Sequence, residues 1–285
     1  MDPLITTADL ARRLGEPALR IFDCTTFLHP EPGGRMRVET GRAAYGEKGH
    51  IPGAALIELQ QDLSDPASTL RFTMPDAPAL ARMAGAKGIG DNSEVVLYCN
   101  GTQWWATRVW WMLRAIGFDR ARILDGGFKK WTAEGRPVEH KTNTYAPATL
   151  TAKPRAGLLV GKDEVLAALA DSSAIVVNCL TEEQHRGTGG ANYGRPGHIT
   201  GSVSLPAASL FADDGTFKNT DTLRAMFTDR GIKGGKRVVA YCGGGIAATG
   251  DAFALVALLG HDDVAVYDAS LQEWATDPSL PMSVG

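Results

Sequence analysis

Two cysteines stand in matching settings that suit nucleophilic chemistry. Cys99 and Cys242 each follow a tyrosine, and each Tyr-Cys pair ends a run of apolar residues that is typical of a buried strand. Cys242 is followed by Gly243, Gly244 and Gly245, and then by residues with the period of an apolar helix. A thiol at this point of an α/β protein lies at the carboxyl end of a strand, where open parallel sheets bind their ligands.

The residues after Cys242 predict an anion-binding loop. Glycine accepts positive φ and lets successive main-chain N–H groups turn toward the centre of a loop. The helix that follows adds the positive end of its dipole. Together these features favour the nucleophilic thiolate of Cys242, and no neighbouring general base is then required. The same residues also fit a glycine-rich turn that only needs tight geometry.

The cysteine loops belong to a repeated unit. Cys99 and Cys242 are each followed by a glycine after 18 residues and by a tryptophan after 32, without gaps. Upstream, GHIPGA at His50 matches GHITGS at His198. Such self-similarity predicts two copies of one fold. Within each copy, β-rich runs alternate with helix-period segments, which predicts an α/β fold with a mostly parallel sheet flanked by helices.

The same patterns predict the elements and the domain boundaries. In the first copy we expect strands near 20–24, 94–98 and 121–125 and helices near 7–14, 76–86 and 105–116. In the second we expect strands near 174–178, 237–241 and 263–267 and helices near 162–170, 220–229 and 247–259. Residues 141–157 are polar and rich in Thr and Pro, which predicts a linker between an N-terminal domain, 1–140, and a C-terminal domain, 158–285.

Composition and charge restrict the kinds of molecule that the chain is expected to bind and the compartment in which it is expected. The 285 residues carry a net charge of −3 and no basic run, so nothing favours nucleic acid or an anionic membrane surface. No apolar stretch approaches the ~18 residues that span a bilayer. The N-terminal residues carry acids and lack the apolar core of a signal peptide, so we expect a cytoplasmic protein.

The four cysteines are expected to be free thiols rather than metal ligands. Cys24, Cys99, Cys179 and Cys242 are far apart and have no histidine at a ligand spacing, so neither a metal nor another cofactor is expected. Cys24 and Cys179 both end strand-like runs, where a free cysteine is ordinarily a small core hydrophobe.

Together these motifs resemble the tandem-domain rhodanese family, the thiosulfate and 3-mercaptopyruvate sulfurtransferases. The resemblance covers nearly the whole chain and rests on the two GHI motifs, on RVWWMLRAIGF followed by ILDGGFKKW, and on YCGGGIAA. It implies two rhodanese-like domains, the first catalytically silent and the second holding the active cysteine in a six-residue loop. It also implies that this cysteine takes sulfane sulfur from a small anionic donor as a persulfide and passes it to cyanide or to a thiol, thioredoxin among them.

The resemblance assigns roles within this chain. It makes Cys242 the sulfur carrier, Arg186 a contact for the donor's carboxylate or sulfonate, and Arg195 a second such contact. Neutral residues after the cysteine resemble the mercaptopyruvate enzymes, but the absence of a serine at position 244 and of Thr or Ser at 247 leaves thiosulfate open. The main-chain N–H groups expected to hold the persulfide and the donor are those of Gly243, Gly244, Gly245, Ile246 and Ala247.

The first cysteine is expected to be silent. The family usually has aspartate at the position of Cys99, and here two indoles and a single glycine follow it. A partly buried, unreactive thiol is the main interpretation, and a resolving or sulfur-accepting thiol is the alternative. For His50 and His198 a structural role in their own loops is favoured over catalysis, and Asp125 and Asp268 are interpreted as caps.

Other functions remain to be compared with this one. A cysteine phosphatase needs an arginine six residues after its cysteine, and Ala248 occupies that position after Cys242. The remaining alternative is a non-catalytic rhodanese-like module that carries sulfur or binds a protein.

Overall fold

The computed structural model describes residues 1–34 and 36–285, in two similar halves. The strands of the first half are β1 (Leu4–Ile5), β2 (Leu19–Asp23), β3 (Thr26–Pro30), β4 (Met36–Thr40), β5 (Ala55–Leu56), β6 (Glu94–Tyr98) and β7 (Ala121–Leu124). Its helices are α1 (Thr7–Arg13), α2 (Arg42–Glu47), α3 (Leu59–Asp62), α4 (Ala77–Ala86), α5 (Trp104–Ala115) and α6 (Gly127–Ala133).

The second half repeats this order. Its strands are β8 (Leu159–Val160), β9 (Ala174–Asn178), β10 (His198–Ile199), β11 (Val203–Ser204), β12 (Arg237–Tyr241), β13 (Val264–Tyr267) and β14 (Met282–Ser283). Its helices are α7 (Lys162–Ala170), α8 (Glu182–Arg186), α9 (Thr220–Asp229), α10 (Ala248–Phe253) and α11 (Ser270–Trp274), with a 3₁₀ turn at Ala207–Leu210 and a π-helical turn at Ala254–Leu258.

Each half contains a five-stranded parallel sheet of the same strand order. The orders are β1-β7-β6-β2-β5 and β8-β13-β12-β9-β11. The α/β fold with two flanked parallel sheets is thus confirmed. Alternate residues of the central strands enter separate apolar layers on the two faces of each sheet, as the period-2 geometry of a strand requires.

The sequence predicted the central elements well and missed an antiparallel hairpin. β3 pairs with β4 as a two-stranded ribbon apart from the main sheet. Partly buried and exposed residues alternate along β3 after Thr26, and β4 has no buried residue, so the ribbon lacks the continuous apolar run that marks the buried strands. The helix expected at 247–259 begins at Ala248 and loosens into the π-helical turn after Phe253.

The two halves pack through α5 and α10. The Trp110 and Phe253 rings meet edge to face with centroids 4.8 Å apart, and the Thr107 and Thr249 hydroxyls lie 2.9 Å apart. One apolar layer therefore runs across the interface from the first sheet to the second.

Two aspartates join the halves by reciprocal hydrogen bonds. Asp125 Oδ1 accepts from the N–H of Phe217, and Asp268 Oδ2 accepts from the N–H of Met74, both at 2.9 Å. The expectation that these aspartates cap their own loops was therefore incomplete, because each carboxylate reaches across the interface. The two acceptors, Asp125 and Asp268, are 143 residues apart, and so are the two donors, Met74 and Phe217. The same offset relates Cys99 to Cys242.

Residues 141–157 contain no helix or strand and lie against the first half. The N–H of Ala148 donates to Gly85 O at 2.9 Å, and the N–H of Lys153 donates to Ile116 O at 2.7 Å. No described helix is both long and apolar enough to cross a bilayer.

Candidate active site

Cys242 lies at a cavity between the two halves with a volume of about 1390 Å³. The loop after β12 forms part of its wall. The hairpin β3–β4 and the start of α5 contribute from the first half. At the mouth, Gly34 O accepts from the N–H of Asn192 at 2.7 Å, so the hairpin tip meets the loop after α8. The cavity therefore needs both halves, although the loop belongs to one.

Ser270 shapes the loop around Cys242. Its Oγ accepts from the N–H of Cys242 at 3.1 Å and from the N–H of Gly245 at 3.2 Å, and it donates to Tyr267 O at 2.7 Å. Ser270 is fully buried and has a φ of 52°, a left-handed conformation that is rare outside glycine. A single serine with a strained backbone thus ties both ends of the glycine run to the start of α11.

Four N–H groups remain available to an anion. In the part of the chain that the structure describes, those of Gly243, Gly244, Ile246 and Ala247 donate to no protein acceptor. The N–H of Gly245, which the sequence also predicted to hold the substrate, donates to Ser270 instead. Free N–H groups clustered in a loop before a helix form an anion-binding nest.

The glycines permit close approach of other groups to the loop. A methyl group at Gly243 would lie 2.0 Å from the Tyr193 hydroxyl, and one at Gly244 would lie 2.3 Å from Gln272 Nε2. Burial, followed by the nearby Cys242, raises the pKa of Tyr193, so its hydroxyl stays neutral and can donate. Tyr193 therefore places a hydroxyl beside the predicted nucleophile.

The corresponding loop of the first half is filled by its own side chain. Gln103 accepts from the N–H of Cys99 at 3.3 Å and donates to Cys99 O at 3.4 Å and to Gly101 O at 3.3 Å. A methyl group at Gly127, which aligns with Ser270, would lie 2.0 Å from Gln103 Nε2. Burial, followed by Asp23, raises the pKa of the Cys99 thiol well above its usual range. A neutral thiol in a filled loop is consistent with the predicted silent copy.

Neither predicted arginine reaches the cavity wall. Arg186 is exposed and contacts Glu182 at 3.4 Å, whereas Gln184, two residues earlier on α8, lines the cavity. Residues two apart on a helix point in nearly opposite directions, which explains why Gln184 faces the cavity and Arg186 does not. Arg195 donates to four main-chain carbonyl groups at the end of α11, which are those of Trp274, Ala275, Asp277 and Leu280.

The histidines of the two GHI motifs contact main-chain carbonyl groups and stack on neighbouring rings. His50 Nδ1 lies 3.0 Å from Tyr45 O, and its ring stacks on Tyr45 with centroids 3.7 Å apart. His198 Nδ1 lies 2.8 Å from His185 O, and the two imidazoles stack. Neither is among the residues that line the cavity. The preference for a structural role agrees with this arrangement.

Comparison with known proteins identifies the family. The family model described as "Rhodanese-like domain" matches residues 6–134 and again residues 162–277. The chain belongs to the rhodanese family. It is an enzyme of the sulfurtransferase class, built from two rhodanese domains in tandem.

Relatives of this rhodanese include both donor classes. It is 33% identical to a Pseudomonas aeruginosa protein named probable 3-mercaptopyruvate sulfurtransferase, over 99% of this chain and 98% of that one. It is also 33% identical to the thiosulfate sulfurtransferase of Bos taurus, over 95% and 91%. The crystal structure of the Escherichia coli 3-mercaptopyruvate sulfurtransferase SseA superposes with a TM-score of 0.81 at 27% identity, over 95% of this chain and 99% of that one.

Sequence reasoning missed Ser270, Gln184, Tyr193 and Gln272 at the candidate site. Ser270 was detectable, because the offset of 143 residues places it opposite Gly127, and a serine replacing a repeat glycine is a signal. Gln184 and Tyr193 lie where the two copies differ in spacing, between β9 and the GHI motif. Only tertiary structure brings them to the cavity.

Proposed function

We propose that Cys242 carries the transferred sulfur as a persulfide. The observation that supports this assignment is the open nest of Gly243, Gly244, Ile246 and Ala247 beside a cysteine on the cavity wall. A persulfide is anionic, and N–H groups fixed in advance around its outer sulfur stabilise it without reorganisation. The filled loop at Cys99 offers no such space, so we assign all sulfur transfer to Cys242.

We propose 3-mercaptopyruvate as the preferred donor. Apart from the nest, the groups that line this part of the cavity are neutral, Gln184, Tyr193 and Gln272 among them. Within the described ranges, the only positive side chains on the cavity lining are Arg37 and Arg71, and both are exposed. Such a site suits a donor with one carboxylate better than the dianion thiosulfate, whose second charge would have no partner.

Arg71, rather than Arg186 or Arg195, is proposed to meet the donor's carboxylate. Its N–H donates to Gln272 Oε1 at 3.0 Å, and its carbonyl accepts from Gln272 Nε2 at 3.2 Å. Since Gln272 packs over Gly244, these two bonds fix Arg71 beside the loop. These bonds hold the main chain of Arg71, and its Nη1 donates to Met36 O at 3.1 Å, so we propose that the exposed guanidinium turns to form a bidentate pair with the donor's carboxylate.

In the proposed reaction, the Cys242 thiolate attacks the sulfur of mercaptopyruvate. The sulfur–carbon bond breaks, and the electron pair leaves on the enolate of pyruvate. The Tyr193 hydroxyl is placed to donate a hydrogen bond to the enolate oxygen, and a proton from solvent completes pyruvate. An acceptor thiolate or cyanide then takes the outer sulfur and restores the Cys242 thiolate.

Acceptor and compartment belong to the same proposal. We propose that a thiol, either thioredoxin or a small thiol, accepts the outer sulfur of the persulfide, and that cyanide can take its place. All four cysteines are free in the structure. Free thiols and a persulfide intermediate require a reducing compartment, which supports the cytoplasm.

The test is sulfur loading followed by mass mapping. Reduced protein is mixed with either donor, and one added sulfur atom is expected on the Cys242 peptide, none in Cys242→Ser, and normal loading in the matched variant Cys99→Ser. Turnover with mercaptopyruvate should exceed that with thiosulfate, and Arg71→Met should raise KM for mercaptopyruvate about tenfold. Absence of sulfur on Cys242 with both donors would leave a non-catalytic rhodanese module.

A further inference from the structure

Cys179 lies directly opposite Cys242 in the second sheet. Val177 pairs with Ala240 and Asn178 with Tyr241. The N–H of Cys179 donates to Tyr241 O at 2.9 Å, which continues the parallel ladder by one residue. Neighbouring strands lie ~4.8 Å apart, a separation within the Cα range that disulfides span.

The two thiols also share one face. Side chains of paired residues point to the same side of a sheet, and Cys179 and Cys242 belong to the same apolar layer as Val177 and Ala240. Both line the cavity. A sulfur atom delivered to Cys242 is therefore delivered beside the Cys179 thiol.

A buried carboxyl group accompanies this pair. Asp251 on α10 is fully buried, and neither carboxyl oxygen has a hydrogen-bond partner among residues 1–34 and 36–285. Burial raises the pKa of Asp251, and burial followed by the nearby Asp251 raises the pKa of Cys179. Cys179 is thus a neutral thiol at rest, its Sγ donates to Val177 O at 3.7 Å, and the nearby Asp251 carboxyl group is available to relay its proton when the pair reacts.

The first half supplies an internal comparison. The N–H of Cys24 donates to Tyr98 O at 2.8 Å, so Cys24 faces Cys99 in the same way. The residue equivalent to Asp251 is Arg108, which donates to Phe72 O of its own half at 2.7 Å and lies 2.6 Å from Asp268 Oδ1 across the interface. Each pair has a buried carboxyl group near it, Asp23 or Asp251, but only the Cys179–Cys242 pair has both of its cysteines among the residues that line the cavity.

We propose that Cys179 resolves the Cys242 persulfide and releases its outer sulfur as hydrogen sulfide. The Cys179 sulfur attacks Sγ of Cys242, the bond between Sγ and the outer sulfur breaks, and a Cys179–Cys242 disulfide forms. The proton of Cys179 passes through Asp251 to the leaving sulfur, which departs as HS⁻. The outer sulfur gains two electrons and the two cysteine sulfurs lose them. A dithiol reductant then reopens the disulfide.

This inference rests on the proposed function, because Cys242 must first carry sulfur. The first experiment loads reduced protein with one equivalent of 3-mercaptopyruvate and no acceptor. One sulfide per chain is expected, with two thiols lost and the Cys179 and Cys242 peptides joined. In Cys179→Ser, sulfide release should fall about tenfold or more while the persulfide accumulates and cyanide still discharges it. Cys24→Ser, the matched control, should behave as wild type.

A second experiment tests the pair without any donor. Diamide added to the reduced protein should join Cys179 to Cys242, and failure to form this disulfide overturns the resolving role. If diamide forms the disulfide but neither donor loads sulfur, the result contradicts only the proposal that Cys242 carries sulfur. A persulfide that persists in wild type without sulfide release overturns the inference. Cys179→Ala provides the same test if the serine variant does not fold.

Discussion

Ser270 occupies a backbone conformation that its counterpart in the first half leaves to glycine. Ser270 has φ 52° and Gly127 has φ 55°. A non-glycine residue in this region costs about 1–3 kcal/mol of strain. In exchange for this strain, the Oγ of Ser270 accepts hydrogen bonds from the N–H groups of Cys242 and Gly245. The residue therefore stabilises the shape of the loop at the expense of the stability of the chain.

Replacing Ser270 separates these two effects. Both Ser270→Gly and Ser270→Ala remove the bonds to Cys242 and Gly245, and we expect kcat/KM to fall about tenfold to a hundredfold in each. Only the glycine variant relieves the strain, so it should be more stable than the alanine variant by about 1 kcal/mol. Steady-state kinetics and urea denaturation measure the two effects, with Ser209→Ala as control. Equal stability of the two variants would contradict the strain argument.

Asp23 makes the stability of the first domain depend on pH. Burial, opposed by hydrogen bonds from Thr25 and Tyr98, raises the pKa of Asp23 to about 6. The folded state therefore binds a proton more tightly than the unfolded state. Its contribution to stability is present below pH 4 and is lost as the pH rises through 6. Asn178 takes the equivalent place in the second domain and makes the same turn contact, to the N–H of Leu180 at 3.0 Å.

Asp23→Asn should remove this dependence. We expect the free energy of unfolding of the variant, relative to wild type, to rise by about 1 kcal/mol between pH 5 and pH 7. Urea denaturation at the two pH values measures it. A difference between variant and wild type that does not change with pH would show that Asp23 is ionised to the same extent in both states.

At the scale of elements, the glycine loop shows what the sequence could predict. The repeat located both cysteine loops, and the alternation of strands and helices predicted the two sheets. Other partners of the loop were not predictable. Tyr193 and the β3–β4 hairpin come from segments whose spacing differs between the copies or whose pattern is polar, and Gln272 stands opposite Lys129, which gives no signal of a shared role. Arg186 was placed by resemblance, yet its helical phase directs it away from the cavity.

Gly245 tests whether the loop's geometry needs glycine. It has φ 71°, and a methyl group there would lie 2.5 Å from Asp268 O, a main-chain atom that cannot move aside freely. We expect Gly245→Ala to lower the free energy of unfolding by about 1–3 kcal/mol and to lower activity by distorting the loop. Gly234→Ala, which has no atom within 4 Å, should change stability by less than about 0.5 kcal/mol. Similar losses in both variants would contradict this assignment.

At the scale of the whole molecule, Arg108 links the first domain to the Cys242 loop of the second. It is fully buried, lies 2.6 Å from Asp268 Oδ1, and Nη1 donates to Gly245 O at 3.4 Å. The first domain thus holds a carbonyl group of the loop that carries Cys242. Loss of the guanidinium would leave a carboxylate without its cation at the interface.

We expect Arg108→Met to lower the free energy of unfolding by about 3–5 kcal/mol, because Asp268 loses its partner. Arg237→Met, which removes a surface pair to Asp263 at 2.7 Å, should cost less than about 1 kcal/mol. Urea denaturation measures both. Adding Asp268→Asn to Arg108→Met should recover part of the loss, and a fully additive loss in the double variant would contradict the pairing.

The reciprocal bonds of Asp125 and Asp268 have a historical consequence. A face on which residue i of one half binds residue j of the other, and j binds i, is the self-complementary face of a twofold homodimer. The repeat and this reciprocal face are what we expect of a chain that arose when the gene of a twofold homodimer was duplicated and fused. After fusion the two copies could diverge. One ancestral position is now Arg108 in the first half and Asp251 in the second. If Cys242 carries the sulfur as proposed, one former subunit could give up catalysis because the other kept it.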